Sequence, residues 1–467
     1  MVFSSILFMF IYLPIVLAVY YICPLKWRNW WLFIVNMVFY GWGEPVYILL
    51  MLFSIVMNYI SGIFVGKYKD DNKPKAKRVL VINIIINLAM LMFFKYYDLF
   101  ATTLNQIPGL GFIQPLGLTL PIGISFYTFQ TMSYPIDIYR GDGNVQRNFI
   151  SFGTFVALFP QLIAGPIVRY KDIDDQLTYR EHSPDKFSSG IERFTIGLGK
   201  KVLIANNIGQ LWDTYSAMPA SELTFVGSWI GILAFSLQIY FDFSGYSDMA
   251  IGLGRMIGFE FLENFNYPYI SKSITEFWRR WHISLGTWFR DYVYIPLGGN
   301  RKGKNRQLLN IAIVWALTGF WHGANWTFML WGLYFAVFLI IEKLWLLERL
   351  EKAPAIVGHI YSLFVVICGW VLFQLNTLTE VGNYYKAMFG FGSGGTVSTA
   401  DGYYAASFAV MFLIAIIAST PLLKNLFAKL SPKAKNIITP VLVLLALVIC
   451  TAYLVDATYN PFLYFRF

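Results

Sequence analysis

Two of the four histidines could do chemistry, His322 in an apolar run and His282 in a basic, aromatic-rich segment. His322 lies in Trp315-Ala-Leu-Thr-Gly-Phe-Trp-His-Gly-Ala-Asn-Trp326, inside an apolar run that begins near Leu308. In a regular helix, the residues between Leu308 and His322 would rise about 20 Å into a hydrocarbon core about 30 Å thick. Ionisable residues at such depth usually face a bundle interior or a watery cavity. A neutral imidazole there could take a proton from a hydroxyl group that attacks a thioester.

A structural role for His322 is the alternative, as a neutral ring hydrogen-bonded between helices. Gly319 and Gly323 flank the histidine and lie one helical turn apart. Because glycine has no side chain, this pair would let a neighbouring backbone or a flexible acyl chain approach closely. Trp321 and Asn325, beside the histidine, are predicted to line a substrate channel.

His282 lies in the segment Ile274-Thr-Glu-Phe-Trp-Arg-Arg-Trp-His-Ile-Ser-Leu-Gly-Thr-Trp-Phe-Arg-Asp291, in which aromatic residues recur at helical spacing. The pattern indicates a basic amphipathic helix at the cytoplasmic face of a membrane. A second interpretation makes the segment an entrance for an anionic, phosphate-bearing donor, because guanidinium groups bind phosphate strongly. Under this interpretation Arg279, Arg280 and Arg290 would bind the donor.

Polar residues also interrupt the apolar run from Leu237 to Ile251, where Asp242, Ser244 and Asp248 occur. Two carboxylates in such a run need cationic partners, which Arg255 or the arginines of the amphipathic segment could supply. A structural ion pair and a substrate contact are both consistent with this pattern.

The stretch from Phe159 to Arg169 contains two prolines and a glycine within apolar sequence. This composition predicts a broken helix that the rest of the protein shelters from lipid, a geometry that often lines a cavity.

Several motifs are missing from the sequence, and their absence narrows the chemistry. There is no G-x-S-x-G elbow, Walker loop or H-E-x-x-H, and the three cysteines have no C-x-x-C spacing. The G-x-G-x-x-G spacing from Gly390 to Gly395 lies in a predicted flexible loop and not in the strand-to-helix turn of a dinucleotide fingerprint. We therefore predict no metal site, no bound cofactor and no serine acyl-enzyme. General-base chemistry by a buried histidine is what remains.

The composition indicates a membrane protein, because 57% of the residues are hydrophobic and only 13% are charged. Segments long enough to be spans or re-entrant helices predict about 11 to 13 crossings of an all-α, polytopic protein. These segments lie near residues 3–23, 28–43, 45–66, 78–97, 117–138, 148–167, 190–212, 225–258, 308–346, 356–375, 403–422 and 437–456. The longer runs are expected to hold two elements each.

The net charge of +10 comes from lysines and arginines in loops beside apolar runs, which indicates topology signals and no nucleic-acid partner. The clearest of these loops, from Lys67 to Arg78, should be cytoplasmic. No internal repeat or separate soluble domain is evident. We predict one membrane domain over residues 1–467, with the motifs concentrated in about 117–346.

At these residues the chain resembles the membrane-bound O-acyltransferase family, in particular its bacterial alginate O-acetyltransferase branch. The resemblance covers about 70% of the chain, from Met1 to Asn325. The matching segments, in order, are Met1-Val-Phe-Ser-Ser5, Leu120-Pro-Ile-Gly-Ile-Ser-Phe126, Ile163-Ala-Gly-Pro166, Tyr240 to Gly254, Glu263-Asn-Phe-Asn266, Ile274 to Gly299 and Trp321-His-Gly-Ala-Asn325.

The resemblance implies that His322 is the central catalytic histidine and that His282 is a second histidine on the cytoplasmic side of a reaction channel. It also implies a ring of helices around this central channel in the inner membrane. The expected activity is O-acetyl transfer from acetyl-CoA or another acetyl thioester to an extracytoplasmic polysaccharide. The acetyl group would pass directly or through an extracytoplasmic partner protein, and the acceptor polymer would be alginate, peptidoglycan or cellulose.

Two other functions stay open at this point. Within the family, D-alanyl transfer to teichoic acid would use a thioester on an acyl carrier protein. Outside enzymes, a transporter or flippase could place its site at the broken segment around Pro160 and Pro166.

Overall fold

A computed structural model describes residues 1–109, 111–163, 165–456 and 463 of the chain, and these residues form helices and connecting loops without β-strands. The prediction of an all-α protein is therefore confirmed. The motif Ile163-Ala-Gly-Pro166 is described except for its alanine, which lies outside these ranges.

Twenty-one α-helices occur in the described ranges. The first eleven are α1 (Leu13–Ile22), α2 (Arg28–Gly43), α3 (Ile48–Tyr68), α4 (Lys73–Asn105), α5 (Ile124–Arg140), α6 (Phe149–Ala157), α7 (Phe159–Leu162), α8 (Tyr170–Thr178), α9 (Pro184–Gly199), α10 (Asn206–Ser216) and α11 (Phe225–Met256). The others are α12 (Ile274–Arg280), α13 (Ile283–Phe289), α14 (Lys304–His322), α15 (Trp326–Ile341), α16 (Leu347–Lys352), α17 (Ala355–Gln374), α18 (Leu378–Met388), α19 (Thr399–Ala418), α20 (Leu422–Ala428) and α21 (Pro432–Asp456). Short π-helical turns cover Phe8–Tyr12, Lys200–Ala205, Arg290–Tyr294 and Glu342–Leu346, and 3₁₀ turns cover Leu25–Trp27 and Pro268–Ile270.

Seven helices in the described ranges are long and apolar enough to cross a membrane: α3, α4, α11, α15 with its extension to Lys352, α17, α19 and α21. This number confirms a multi-pass membrane protein. The predicted 11 to 13 crossings also counted shorter segments, and several of these are helices such as α2 and α5.

The chain divides into two compact units. The first comprises Met1–Phe194 and Tyr246–Leu262, and the second comprises Thr195–Gly245 and Glu263–Phe467. Helices α9 and α11 contribute residues to both units.

In the first unit, α3 and α4 are joined by a buried cluster of amide side chains. The Asn58 Oδ1 atom accepts hydrogen bonds from the side-chain amides of Asn83 at 3.0 Å and Asn87 at 3.1 Å. Such bonds between membrane helices hold them together where apolar burial gives little preference for one neighbour over another.

The proline-containing segment of the first unit is broken as predicted. Helix α6 ends at Ala157, the short α7 follows, and the chain then runs without helix through the described residues up to Arg169. Pro160, Gln161 and Ile167 are all buried, which satisfies the expectation that protein shelters the break.

In the second unit, the apolar run predicted near residues 308–346 holds two helices, α14 and α15. They pack closely through glycine: a Cβ atom on Gly319 would lie 3.1 Å from the Cα atom of Gly332 and 2.4 Å from the Phe328 carbonyl oxygen. Gly323 in turn makes room for the Phe328 ring, whose nearest atom would lie 2.3 Å from an added Cβ. Both glycines therefore permit the close approach that their spacing predicted.

Candidate active site

A cavity of about 610 Å³ in the second unit brings the two singled-out histidines together. Its walls come from α12, α13, α14 and the end of α15, and both His282 and His322 line it. Each histidine is 3% exposed. The cavity therefore joins two side chains that lie on different helices and far apart in the sequence.

His282 interrupts the segment that was predicted to be one amphipathic helix. Its backbone adopts φ +47° and ψ +53°, a left-handed conformation that non-glycine residues seldom adopt, and it separates α12 from α13. The Asn264 backbone and side chain accept hydrogen bonds from the backbone N–H groups of Ile283 at 3.0 Å and Ser284 at 3.1 Å. The prediction of a continuous helix was wrong because Asn264 supplies partners for the amides that open a second helix.

Asn264 also determines which nitrogen of His282 carries the proton. Because a backbone N–H can only donate, the Asn264 atom bound to Ser284 N is the oxygen, Oδ1. This same oxygen lies 3.1 Å from His282 Nδ1 and 2.9 Å from Ser284 Oγ. His282 Nδ1 must therefore donate, which leaves the basic lone pair on Nε2.

Burial keeps the His282 imidazole neutral. The residue lies outside the seven long apolar helices, and desolvation lowers its pKa from 6.5 to about 3. The Phe243 ring packs against it at 4.7 Å, nearly perpendicular to the imidazole. At neutral pH, His282 is therefore an uncharged ring with its acceptor nitrogen at Nε2.

His322 ends α14 and is enclosed by aromatic rings. The ring centroids of Trp321, Trp331 and Phe373 lie 5.0, 5.0 and 5.2 Å from its own, each at a steep angle to the imidazole. Trp321 is also 6.3 Å from the ring of His282, so it lies beside both histidines. Three aromatic rings therefore surround the part of His322 that does not face the cavity's other walls.

The predicted donor-binding arginines are only partly brought to the cavity. Arg279 and Arg290 line it, and Arg290 also binds the neighbouring carboxylate of Asp291, with Nε 2.7 Å from Oδ1. Arg280 is not among the lining residues, and its guanidinium binds Glu276 and the Asn266 carbonyl oxygen. A donor contact by Arg280 stays a prediction.

Two neighbouring charged residues that the sequence analysis did not single out shape the same site. Glu342 is 1% exposed and accepts hydrogen bonds from the backbone N–H groups of Ile274 at 2.6 Å and Thr275 at 2.8 Å, which caps the start of α12. Lys343 lines the cavity and adds a third cation to it. In the sequence, these two residues can be recognised only as a charged pair that directly follows a long apolar helix.

Comparison with known proteins decides the family. Residues 144–373 match the family model MBOAT, membrane-bound O-acyltransferase family. The probable alginate O-acetylase AlgI of Pseudomonas putida is 42% identical in an alignment of 490 positions that covers the whole of both chains.

The chain belongs to the membrane-bound O-acyltransferase family. It is thus an O-acyltransferase, as the motifs predicted. The probable alginate O-acetylase AlgI of Azotobacter vinelandii is 45% identical over 84% of this chain and 79% of its own length. The peptidoglycan O-acetyltransferase of Helicobacter pylori is 35% identical over 84% of this chain and 80% of its own length.

In this acyltransferase, the carboxylates of α11 are neutralised by lysine and arginine. Asp242 Oδ1 lies 2.6 Å from Lys201 Nζ, and Asp242 Oδ2 accepts from the backbone N–H of Leu463 at 2.9 Å. Asp248 Oδ1 lies 2.7 Å from an Arg193 nitrogen. The partners suggested from the sequence, Arg255 or the arginines of the amphipathic segment, were wrong, because Lys201 and Arg193 take these positions. Arg255 Nε lies 3.6 Å from Glu260 Oε2.

Neither these carboxylates nor Ser244 are among the residues that line the acyltransferase cavity. Trp321 is not among them either, although its ring touches both histidines. Asn325 caps the start of α15: its Oδ1 accepts from Thr327 N at 3.1 Å, and its Nδ2 donates to the Asn376 carbonyl oxygen at 2.6 Å. A substrate contact by Asp242, Ser244, Asp248, Trp321 or Asn325 stays a prediction.

Proposed function

We propose that this acyltransferase moves an acetyl group from a cytoplasmic thioester to a hydroxyl of an extracytoplasmic polysaccharide of the alginate type, acting in the cytoplasmic membrane. The observation that carries the proposal is the cavity that His282 and His322 line together with Arg279, Arg290 and Lys343. A single chamber with two histidines and three cations has the groups that acyl transfer from an anionic thioester needs.

In the proposed reaction, His322 is the general base. Its imidazole takes the proton of the acceptor hydroxyl while the hydroxyl oxygen attacks the thioester carbonyl carbon. The carbon–sulfur bond then breaks, the thiolate leaves and receives the proton, and an ester remains. General-base assistance of this kind typically accelerates a reaction by about 10² to 10⁴-fold.

His282 and the cations would hold the donor. The neutral Nε2 of His282 suits an amide N–H, such as those in the pantetheine arm that coenzyme A shares with acyl carrier proteins. Arg279, Arg290 and Lys343 suit the phosphates of the same donor. Acetyl-CoA is the simplest donor with both features.

The aromatic rings around His322 support a short acyl group. With Trp331 and Phe373 about 5 Å from the imidazole, an acetyl group fits the remaining space better than a long chain. The names of the relatives point the same way, because the AlgI proteins are probable alginate O-acetylases and the Helicobacter pylori protein is a peptidoglycan O-acetyltransferase. We propose alginate or a similar exopolysaccharide as the acceptor, reached directly or through an extracytoplasmic partner protein.

The test is polymer-bound acetate in cells that express His322→Ala, with His359→Ala as the matched control. His359 is another histidine of the second unit, and it does not line the cavity. We expect His322→Ala to lower acetylation by about 10²-fold or more and His359→Ala to leave it unchanged. Equal acetylation by both variants at equal protein level would refute the base role.

The donor is tested with purified protein in vesicles and radiolabelled thioesters. Release of free coenzyme A from acetyl-CoA that depends on His322 supports the proposal and counts against a transporter. Turnover of D-alanyl carrier protein without turnover of acetyl-CoA would instead establish D-alanyl transfer.

A further inference from the structure

A second cavity, of about 690 Å³, lies entirely in the first unit. It is lined by Leu25, Lys26, Asn29, Gln146, Arg147, Asn148, Phe149, Ser151, Leu177 and Thr178. Seven of these ten residues are polar, two of them are cations, and none of them is acidic. In the described part of the chain, neither Lys26 nor Arg147 forms an ion pair with a carboxylate. The chemistry of this lining suits a phosphate group.

A further cation lies directly behind the cavity wall. The Arg180 guanidinium donates to Asn29 Oδ1 at 2.9 Å, and Asn29 Nδ2 donates to Ser151 Oγ at 3.0 Å. These bonds hold the Asn29 amide in place at the wall. Asn148 Oδ1 similarly caps the first turn of α6 by accepting from Ile150 N at 2.9 Å. The polar wall is therefore preorganised.

The surroundings of this cavity indicate a lipid. Leu25 is 71% exposed, and the neighbouring Trp27 and Trp30 are 51% and 45% exposed with ring centroids 6.3 Å apart. Exposed tryptophans of membrane proteins lie at the level of the lipid headgroups. A free phosphate ion would use the cations but would gain nothing from these apolar side chains.

The position along the chain indicates the cytoplasmic leaflet. Lys26 precedes α2, and only a short connection joins α2 to α3, so the start of α2 should lie on the same side as the end of α3. The end of α3 leads into the basic loop from Lys67 to Arg78, which the sequence assigns to the cytoplasm. Anionic lipids attract basic groups at such a surface.

We propose that this cavity binds the phosphate headgroup of an anionic phospholipid, with Lys26 and Arg147 as its charged ligands and Leu25, Trp27 and Trp30 against the acyl chains. The site shares no lining residue with the cavity of the two histidines and does not depend on the reaction proposed for that cavity.

The experiment measures lipid retention by the full-length protein purified in detergent. Phosphatidylglycerol or phosphatidylethanolamine is added at equal amounts, and bound lipid is counted by native mass spectrometry. Because each basic residue near an anionic lipid contributes roughly a fivefold factor, we expect Lys26→Gln/Arg147→Gln to weaken phosphatidylglycerol binding by about 25-fold. The matched control is Lys77→Gln/Arg78→Gln, which removes the same charges from the start of α4, outside the lining of the cavity. It should lose clearly less phosphatidylglycerol than Lys26→Gln/Arg147→Gln. An equal loss in both variants would indicate attraction by the basic surface alone and would overturn the proposal.

A second variant guards against misfolding of the first. Thr178 is an exposed residue of the lining, so Thr178→Glu adds a carboxylate to the wall without disturbing buried packing. It should also weaken phosphatidylglycerol binding. Equal retention by all variants would overturn the proposal, as would equal retention of phosphatidylethanolamine. Binding of inorganic phosphate by a protein that retains no phosphatidylglycerol would identify a free-phosphate site and overturn the assignment to lipid.

Discussion

Two groups of buried ionisable side chains in this acyltransferase differ in what surrounds them. His282 and His322 line a cavity and contact aromatic rings and, for His282, an amide oxygen. Asp242 and Asp248, also nearly inaccessible, are each held by a basic side chain at 2.6 to 2.7 Å. Asp242, Asp248 and His322 all interrupt apolar sequence, whereas His282 lies in a basic, aromatic-rich segment.

The difference shows that burial of an ionisable group in a membrane protein does not by itself indicate a reaction. A buried carboxylate with a cation at contact distance forms a neutral pair. The attraction of the cation offsets the free-energy cost of removing the carboxylate from water. A neutral imidazole at a cavity wall keeps a lone pair that can do chemistry. The immediate partner thus separates the two roles.

The largest expected effect tests the ion pair. Lys201→Met leaves the Asp242 carboxylate buried without its cation, which should cost about 3 to 5 kcal/mol of unfolding free energy. Thermal unfolding in detergent, followed by the monodisperse fraction in size-exclusion chromatography, measures the loss. Lys201→Met/Asp242→Asn removes both charges and should recover most of it. A folded Lys201→Met protein that has lost only acetyl transfer would instead place the pair in the reaction.

Next in size is the effect of Asn264, a positioning residue for His282. Asn264→Leu removes the acceptor of His282 Nδ1. We expect acetylation to fall by roughly tenfold to a hundredfold, which does not exceed the rate acceleration that a general base typically gives. Asn264→Asp keeps an acceptor oxygen and should restore most of the rate. If both variants lose the same activity, Asn264 acts through folding and not through the tautomer of His282.

The histidines and the membrane class could be predicted from the sequence because both depend on local composition. An ionisable residue in an apolar run can be recognised from the sequence without knowledge of its contacts. The spacing of Gly319 and Gly323 beside His322 predicted the close packing of α14 with α15. The presence of two helices, α14 and α15, in the apolar run near residues 308–346 could also be predicted from the length of that run.

Partners distant in the sequence could not be predicted. Nothing local to Asp242 points to Lys201, and nothing local to His282 points to Asn264, since tertiary packing alone brings them together. The left-handed turn at His282 was missed for the same reason: aromatic spacing favours a continuous helix, and the acceptors that permit the break come from another segment.

A smaller effect should follow from opening the aromatic enclosure of His322. Phe373→Leu removes one ring from the site, and we expect the use of propionyl thioester relative to acetyl thioester to rise about tenfold, since one methylene group in an apolar pocket is worth about 1 to 3 kcal/mol. Competition assays with both thioesters measure the ratio. Phe364→Leu, an exposed position on the same helix α17, is the control. An unchanged ratio would show that the rings do not limit acyl length.

The smallest effect concerns pH and the neutral state of His282. Its pKa is about 3 in the folded protein against 6.5 ordinarily, so between these values the unfolded chain binds a proton that the folded chain does not. This contribution to stability is complete above pH 6.5 and is lost as the pH falls, by at most about 1.4 kcal/mol of unfolding free energy per pH unit. Thermal unfolding of the unmodified protein and of His282→Asn between pH 7.5 and 5 should therefore converge at the acidic end. Parallel curves would mean that His282 titrates normally and that water reaches it, which would weaken the contrast between a neutral ring at a cavity wall and a charge held in an ion pair.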